Sequence, residues 1–222
     1  MFSYYGAKTK IVAKYPAPLY DTIVEPFAGS ARYSLMYPDR NVVLYEIYEK
    51  PFRVWEYLIQ ATEKDILGLP DIALGEDVRT FNLSDPEKWL IGYQLQRGTA
   101  RPGCIANERN RWNQDKLRIA KQVGLVKHWK IYKEDGTKHN WENATYFVDP
   151  PYTVQTHKYS FPDVDFANIA AKVQNGKGQF IVCGNADDKW LPFEPLVEMM
   201  GTKKKHIECM YYKSGVENVV SI

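Results

Sequence analysis

The chain has 222 residues, 45% of them hydrophobic, with six Trp and a net charge of +2. That length suits one large domain, or one domain with a modest insert, around a sizeable core. No apolar run approaches the roughly 20 residues of a membrane span, no signal-peptide pattern opens the chain, and Cys104, Cys183 and Cys209 fit neither a disulfide framework nor a zinc spacing, so a reducing cytoplasm is the expected compartment.

The opening stretch Tyr4-Tyr5-Gly6-Ala7-Lys8 is aromatic, then small, then basic. Gly6 permits a tight turn, and Lys8 stands near the start of a short amphipathic segment that ends before Pro16. Residues 21–25 read as a buried strand ending in Glu25. The small-residue loop Pro26-Phe27-Ala28-Gly29-Ser30-Ala31 follows, and residues 32–36 read as a helix start. Strand, loop and helix in that order bring backbone N–H groups against a ligand. Only Gly29 of the loop is glycine, which argues against a pyrophosphate cradle and permits a nucleoside-type ligand. Residues 41–46 form a second buried strand, ending in Glu46, where nucleoside-binding α/β folds hold ribose hydroxyls. Two strand-terminal carboxylates beside one crevice are hard to explain as core.

Residues 50–63 read as a helix whose stripe of Phe52, Trp55, Leu58 and Ile59 belongs to the core. Residues 66–83 are loop-rich and look like a boundary. A helix over 85–95 is opened by Ser84 or Asp85; a flexible loop spans 98–103. Residues 110–123 form a basic helix stopped by Gly124, and 126–132 a strand before a turn at 134–137. From Arg97 to Lys133 ten basic residues face two acidic ones, a charge of +8 that leaves −6 for the rest. Charge concentrated in this way is the footprint of a polyanion partner, with Arg97, Arg101, Arg109, Arg111 and Lys116 as candidate contacts. Trp112, Trp129, Asn107, Asn110, Asn113 and Gln114 are interleaved to stack on bases or read their edges. A solvated basic helix face accounts for the same charge.

Residues 144–148 read as a buried strand that two prolines stop at Asp149-Pro150-Pro151-Tyr152. The Asp149 carboxylate and the Pro150 carbonyl are two adjacent acceptors, and Tyr152 is a flat plate one step on. Such a set suits an exocyclic amino group on a planar ring. Residues 153–161, with Tyr159 and Phe161, read as a flap over the site. A helix over 165–173, a strand over 178–183, a short helix over 191–200 and a hairpin of 207–212 with 216–222 complete the chain. Asn185 reads as a ligand contact or, slightly better, a turn cap, and Lys203 to Lys205 read equally as phosphate contacts or as solvated lysines before an edge strand. His128, His139, His157 and His206 show no ligand spacing, so no metal site is expected.

Together, Tyr4-Tyr5-Gly6-Ala7-Lys8, Glu25-Pro26-Phe27-Ala28-Gly29-Ser30 and Asp149-Pro150-Pro151-Tyr152, in this order and with the last one late, resemble the motifs of DNA adenine-N6 methyltransferases of the Dam type, here of a phage or prophage-like kind with a short recognition insert. The resemblance implies an α/β, Rossmann-like methyltransferase fold: a mostly parallel sheet with a C-terminal antiparallel hairpin, plus a small, mainly helical insert. Residues 1–75 and 125–222 would form the catalytic domain, and 76–124 the target-recognition insert. S-adenosylmethionine would be the cofactor. Tyr5, Gly6 and Lys8 would lie at its methionine end; Glu25, Pro26, Phe27, Ala28 and Gly29 would line it; Glu46 would hold its ribose; Ile131 or Tyr132 would flank its adenine. Asp149, Pro150 and Tyr152 would be catalytic, and Asp149 would also border the cofactor. Tyr159 would face cofactor or base. The partner would be double-stranded DNA with one base flipped out of the stack. N4 of cytosine, adenine in RNA, and an inactive DNA-binding relative are the alternatives. Ala31 departs from the pattern, standing where a second glycine is common.

Overall fold

A computed structural model describes residues 1–152, 164–200 and 205–215. Seven strands form one sheet: β1 (Thr22–Glu25), β2 (Asn41–Tyr45), β3 (Lys130–Tyr132), β4 (Glu142–Val148), β5 (Lys177–Asn185), β6 (Glu194–Met200) and β7 (Lys205–Lys213), in the spatial order β3-β2-β1-β4-β5-β7-β6. The first five in that order run parallel, and β7 and β6 close the edge as an antiparallel hairpin. This is a Rossmann-like α/β architecture, in which ligands lie outside the carboxyl ends of the parallel strands. The order turns outward in both directions from the neighbouring strands β1 and β4, and the ends of those strands carry Glu25 and Asp149.

Strand alternation sorts the core into two layers. Ile23, Leu44, Phe147, Ile181 and Cys183 point to one face, and Val24, Tyr146, Val148, Phe180 and Val182 to the other. The first face is covered by the N-terminal segment and by α1 (Glu49–Gln60), α2 (Glu63–Gly68), α3 (Asp85–Leu95) and α4 (Trp112–Val123). The second is covered by α5 (Phe166–Asn175), together with Trp141 and Leu191. Helix starts follow local chemistry: Thr62 with Asp65 and Ser84 with Glu87 form capping boxes, and Asp165 accepts from the Asn168 N–H. Phe2 stacks on Tyr93 of α3 with ring centres 5.1 Å apart and meets Trp55 of α1 at 5.5 Å. The expected insert, 76–124, therefore shares one core with the N-terminus and α1.

Several elements differ from the sequence expectation. Residues 32–36 form only a single 3-10 turn, Ser34–Met36. Helix α2 occupies the start of the expected loop-rich boundary. The basic helix begins at Trp112, because Asn110 Oδ1 takes the Trp112 N–H and holds the chain in a turn before it. The strand expected over 126–132 is just β3, preceded by a 3-10 turn at Gly124–Val126. The helix expected over 191–200 is instead β6, whose pairing with β7 makes the hairpin one run earlier than expected. The expected partner run, 216–222, lies outside the described residues, as do Lys203, Lys204 and the 153–161 flap with Tyr159. Among the described residues, no helix is long and apolar enough to cross a membrane.

Candidate functional site

All three motifs meet at one cavity of about 1010 Å³ beyond the carboxyl ends of β1, β2, β4 and β5. Its wall includes Tyr5, Gly6, Lys8, Glu25, Pro26, Phe27, Ala28, Gly29, Glu46, Asp149, Pro150 and Tyr152. Every residue expected from sequence to be catalytic or cofactor-binding is on this list, apart from Tyr159, Ile131 and Tyr132. Tyr132 does not line the cavity; it is 40% exposed and stacks on Tyr45 with centres 5.5 Å apart.

The loop after β1 is held from several sides. The Ala28 N–H donates to the Tyr45 carbonyl (3.0 Å), the Gly29 N–H to Glu46 Oε2 (3.1 Å), and Trp55 Nε1 to the Gly29 carbonyl (2.8 Å). Gly29 and Ala31 have φ of +46° and +45°. Only glycine adopts that region freely, so Ala31 carries local strain at the position where the pattern has glycine. Gly136 backs the loop so closely that a Cβ there would lie 2.7 Å from Pro26 Cα.

The two strand-terminal acids do different work. Glu25 faces inward: its Oε1 accepts both the Ser34 N–H (2.9 Å) and the Ser34 hydroxyl (2.6 Å). Burial pushes its carboxyl up to about 8, against the pull of those two bonds. It is a brace for the loop that also touches the cavity wall. Glu46 uses Oε2 on Gly29 and Oε1 on the Tyr48 N–H (2.9 Å). Burial pushes the group up to about 7, against the pull of backbone N–H groups of Tyr48, Gly29 and Ile47. A buried acid on the cavity wall is of the kind that accepts ligand hydroxyls.

At the other end, the turn at Gly6 (φ +75°) aims Lys8 inward. Lys8 Nζ lies 2.7 Å from Asp149 Oδ1, 3.5 Å from Glu208 Oε1 and 4.8 Å from the centre of the Tyr152 ring. Burial draws the Lys8 ammonium down, but attraction from Asp149 and then Glu208 outweighs it and leaves the group above its usual range. Asp149 is pushed up, first by burial and then by Glu208, with Lys8 opposing. Glu208 gave no signal in the sequence, because its partners Tyr15 and Tyr152 are 193 and 56 positions away. Asn185 caps its turn, accepting from the Asp187 N–H (2.7 Å), and also lines the cavity.

The basic segment is only partly a surface. Arg97, Arg101, Arg109 and Arg111 are exposed. Arg97 adjoins the cavity through Gly98, which lines it. Lys116 does not belong to this surface: it is buried, with Nζ donating to the Leu69 carbonyl (2.9 Å) and paired with Asp71 (2.5 Å). Trp112 and Trp129 are core residues, not stacking plates. Asn110 and Asn113 brace the turn at Ile72. Burial recurs at 112, 116, 119, 120 and 123, a helical stripe that would have placed Lys116 inward from spacing alone.

No family model matches the chain, and no curated protein matches it. Solved structures similar to it include a conserved hypothetical protein from Streptococcus pyogenes (13% identity, 87% of this chain and 86% of that one, TM-score 0.38). A provisionally named methyltransferase, yhhF, from Escherichia coli is similar at 10% identity, covering 87% and 75%, with TM-score 0.37. A provisionally named methylase from Haemophilus influenzae is similar at 9%, covering 90% of both chains, with TM-score 0.36.

Proposed function

We propose that this chain is a methyltransferase that moves the methyl group of S-adenosylmethionine to N6 of adenine in DNA. The observation that carries the reading is the convergence of the Tyr4 to Lys8 turn, the Pro26 to Ala31 loop and the Asp149 to Tyr152 strand end on one cavity. Glu46 would hold the ribose, the Phe27 to Gly29 backbone would follow the nucleoside, and Tyr5 and Lys8 would meet the methionine end. When bound, the cofactor supplies a methyl group on a sulfonium whose sulfur departs as a neutral thioether.

The protein's share of the chemistry concerns the nucleophile. The adenine N6 lone pair is delocalised into the ring and attacks poorly. Accepting its two hydrogens at the Asp149 carboxylate and the Pro150 carbonyl favours a pyramidal nitrogen and localises that pair. The same acceptors stabilise positive charge growing on N6, and Asp149 is placed to take the proton that leaves. Lys8 fixes Asp149 Oδ1, and Oδ2 would accept from the substrate. Holding nitrogen, carbon and sulfur in line supplies much of the remaining advantage. A duplex base reaches such a site only when flipped, with Tyr152 as its stacking plate. The exposed arginines of 97–111 would hold the phosphate backbone.

Transfer of labelled methyl from S-adenosylmethionine to unmethylated mixed-sequence DNA, followed by digestion to nucleosides, tests this. Label in N6-methyldeoxyadenosine is expected. Label in N4-methyldeoxycytidine, or in RNA alone, would move the substrate and keep the site. Asp149→Ala is expected to abolish transfer and retain cofactor binding; unchanged turnover in it would sink the assignment.

A further inference from the structure

Glu208 sits in β7 opposite Asn185 of β5 and is 3% exposed. Its Oε1 accepts the Tyr152 hydroxyl at 2.5 Å and the Tyr15 hydroxyl at 2.8 Å, with Lys8 Nζ at 3.5 Å. The nearer partner of Lys8 is Asp149, at 2.7 Å. One ammonium therefore serves two buried carboxylates, and among the described residues neither acid has another ion pair. Tyr15, Tyr152 and Cys183 add no charge, since burial pushes all three up. The cluster holds one carboxylate more than it has cations. Among the described residues the surrounding wall does not correct this: Lys8, Lys10 and Arg32 stand against Asp135, Asp149, Asp165, Asp187 and Glu208, before Glu25 and Glu46 are considered. An acidic cavity in a chain of net charge +2 is no seat for a phosphate. A buried, uncompensated carboxylate is costly until it takes a proton or meets a cation.

We propose that Glu208 sets the cavity's preference for a positively charged ligand, and so tilts binding toward S-adenosylmethionine and away from S-adenosylhomocysteine, whose sulfur is neutral. This rests on the methyl-transfer reading and adds to it a residue and a role. The two ligands differ by one methyl and one charge at sulfur, so shape alone separates them weakly. A fixed negative charge acts equally on the α-ammonium and α-carboxylate that both ligands share, and on the sulfur only when it is a sulfonium, so the ratio of the two affinities reports the sulfonium term. Losing the sulfonium charge on transfer then weakens the hold on the product and promotes its release.

Glu208→Gln tests the proposal, because it keeps the side chain's size and an acceptor for both phenols while removing the charge. Titration calorimetry would compare S-adenosylmethionine, sinefungin (which carries an ammonium near the sulfur position) and S-adenosylhomocysteine. Removing one unit charge from the cavity wall should change the affinity of a cation by about tenfold. The two cations should weaken by about that factor, and S-adenosylhomocysteine by less than twofold. Lys8→Met adds one net negative charge and should move the affinity ratio the opposite way. Glu208→Gln decides the matter, and Lys8→Met checks the sign of the ratio. Equal changes for all three ligands would overturn the proposal and leave the cofactor site standing. Failure of all three to bind the unaltered protein would overturn the reading beneath it as well.

Discussion

Replacing Lys8 with Met keeps the packing of the stem and removes the ammonium. At an effective dielectric of ~20, the lost attraction is ~6 kcal/mol toward Asp149 at 2.7 Å and ~5 kcal/mol toward Glu208 at 3.5 Å. Dehydrating the ammonium costs several kcal/mol that the methionine does not incur. The balance is a loss of about 3–5 kcal/mol at pH 7, because two buried carboxylates remain without their cation. The pH dependence follows from the acids. Asp149 is already pushed up by burial and by Glu208, and without Lys8 it rises further. A carboxylate raised on folding binds its proton more tightly in the folded state. Its cost therefore appears as pH rises past the unfolded value and disappears below it. The deficit of Lys8→Met should be largest near pH 8 and shrink toward pH 5. Lys8 itself, being raised, would lose its contribution only in strong alkali, outside this window. Urea unfolding followed by tryptophan fluorescence, on both proteins from pH 5 to pH 8, measures the difference. A deficit below about 1 kcal/mol at pH 7, or one equal at pH 5 and pH 8, would refute the reasoning.

Three further outcomes are expected. Ser34→Ala removes the hydroxyl that donates to Glu25 at 2.6 Å and should cost about 1–3 kcal/mol; since the lost bond favours the charged acid, which titrates at about 8, the deficit should grow from pH 6 to pH 9 in unfolding measurements. Gly136→Ala would place a Cβ 2.7 Å from Pro26 Cα and 2.9 Å from the Pro26 carbonyl oxygen, displacing the loop backbone; calorimetry should show S-adenosylmethionine affinity reduced by roughly tenfold or more. Trp112→Ala should cost about 3–5 kcal/mol, as Trp112 is fully buried with Nε1 donating to the Pro70 carbonyl, whereas Arg109→Ala and Arg111→Ala should leave stability within about 0.5 kcal/mol and lower both DNA affinity and its dependence on salt.

The sheet and the motif positions were legible because short apolar runs end in Glu25, Glu46 and Asp149, and each run is long enough for a strand and too short for a helix. The stretch 191–200 was not, since Leu196, Val197, Met199 and Met200 suit either period; pairing with β7 decides it. The charge of 97–133 was plain, yet its direction was not. Helical spacing with Ile119, Ala120 and Val123 turns Trp112 and Lys116 inward, a signal that the run of basic residues masks; the partners they meet there, the carbonyls of Pro70 and Leu69, are set by the fold. The strand-end position of Glu25 is enough to set it on the cavity wall, but its bond to Ser34, nine residues on, is not legible from that position. Glu208 lay beyond reach for the same reason, as its role exists only where β7, the N-terminal segment and the β4 end come together.

The stacking of Phe2 on Tyr93, with Trp55 against Phe2 and Trp129 against Trp55, bears on how freely residues 76–124 could be exchanged. A recognition segment that closed on itself could be exchanged between relatives as a cassette. Residues 76–124 supply Leu90, Ile91 and Tyr93 to the layer beneath β1 and β2, so a transplant of them would open that core along with the basic surface. On the proposed DNA reading, divergence in target would be confined to what these anchors leave free: single substitutions at exposed positions such as Arg101, Arg109 and Arg111. Redesign of specificity would have to proceed by the same small steps.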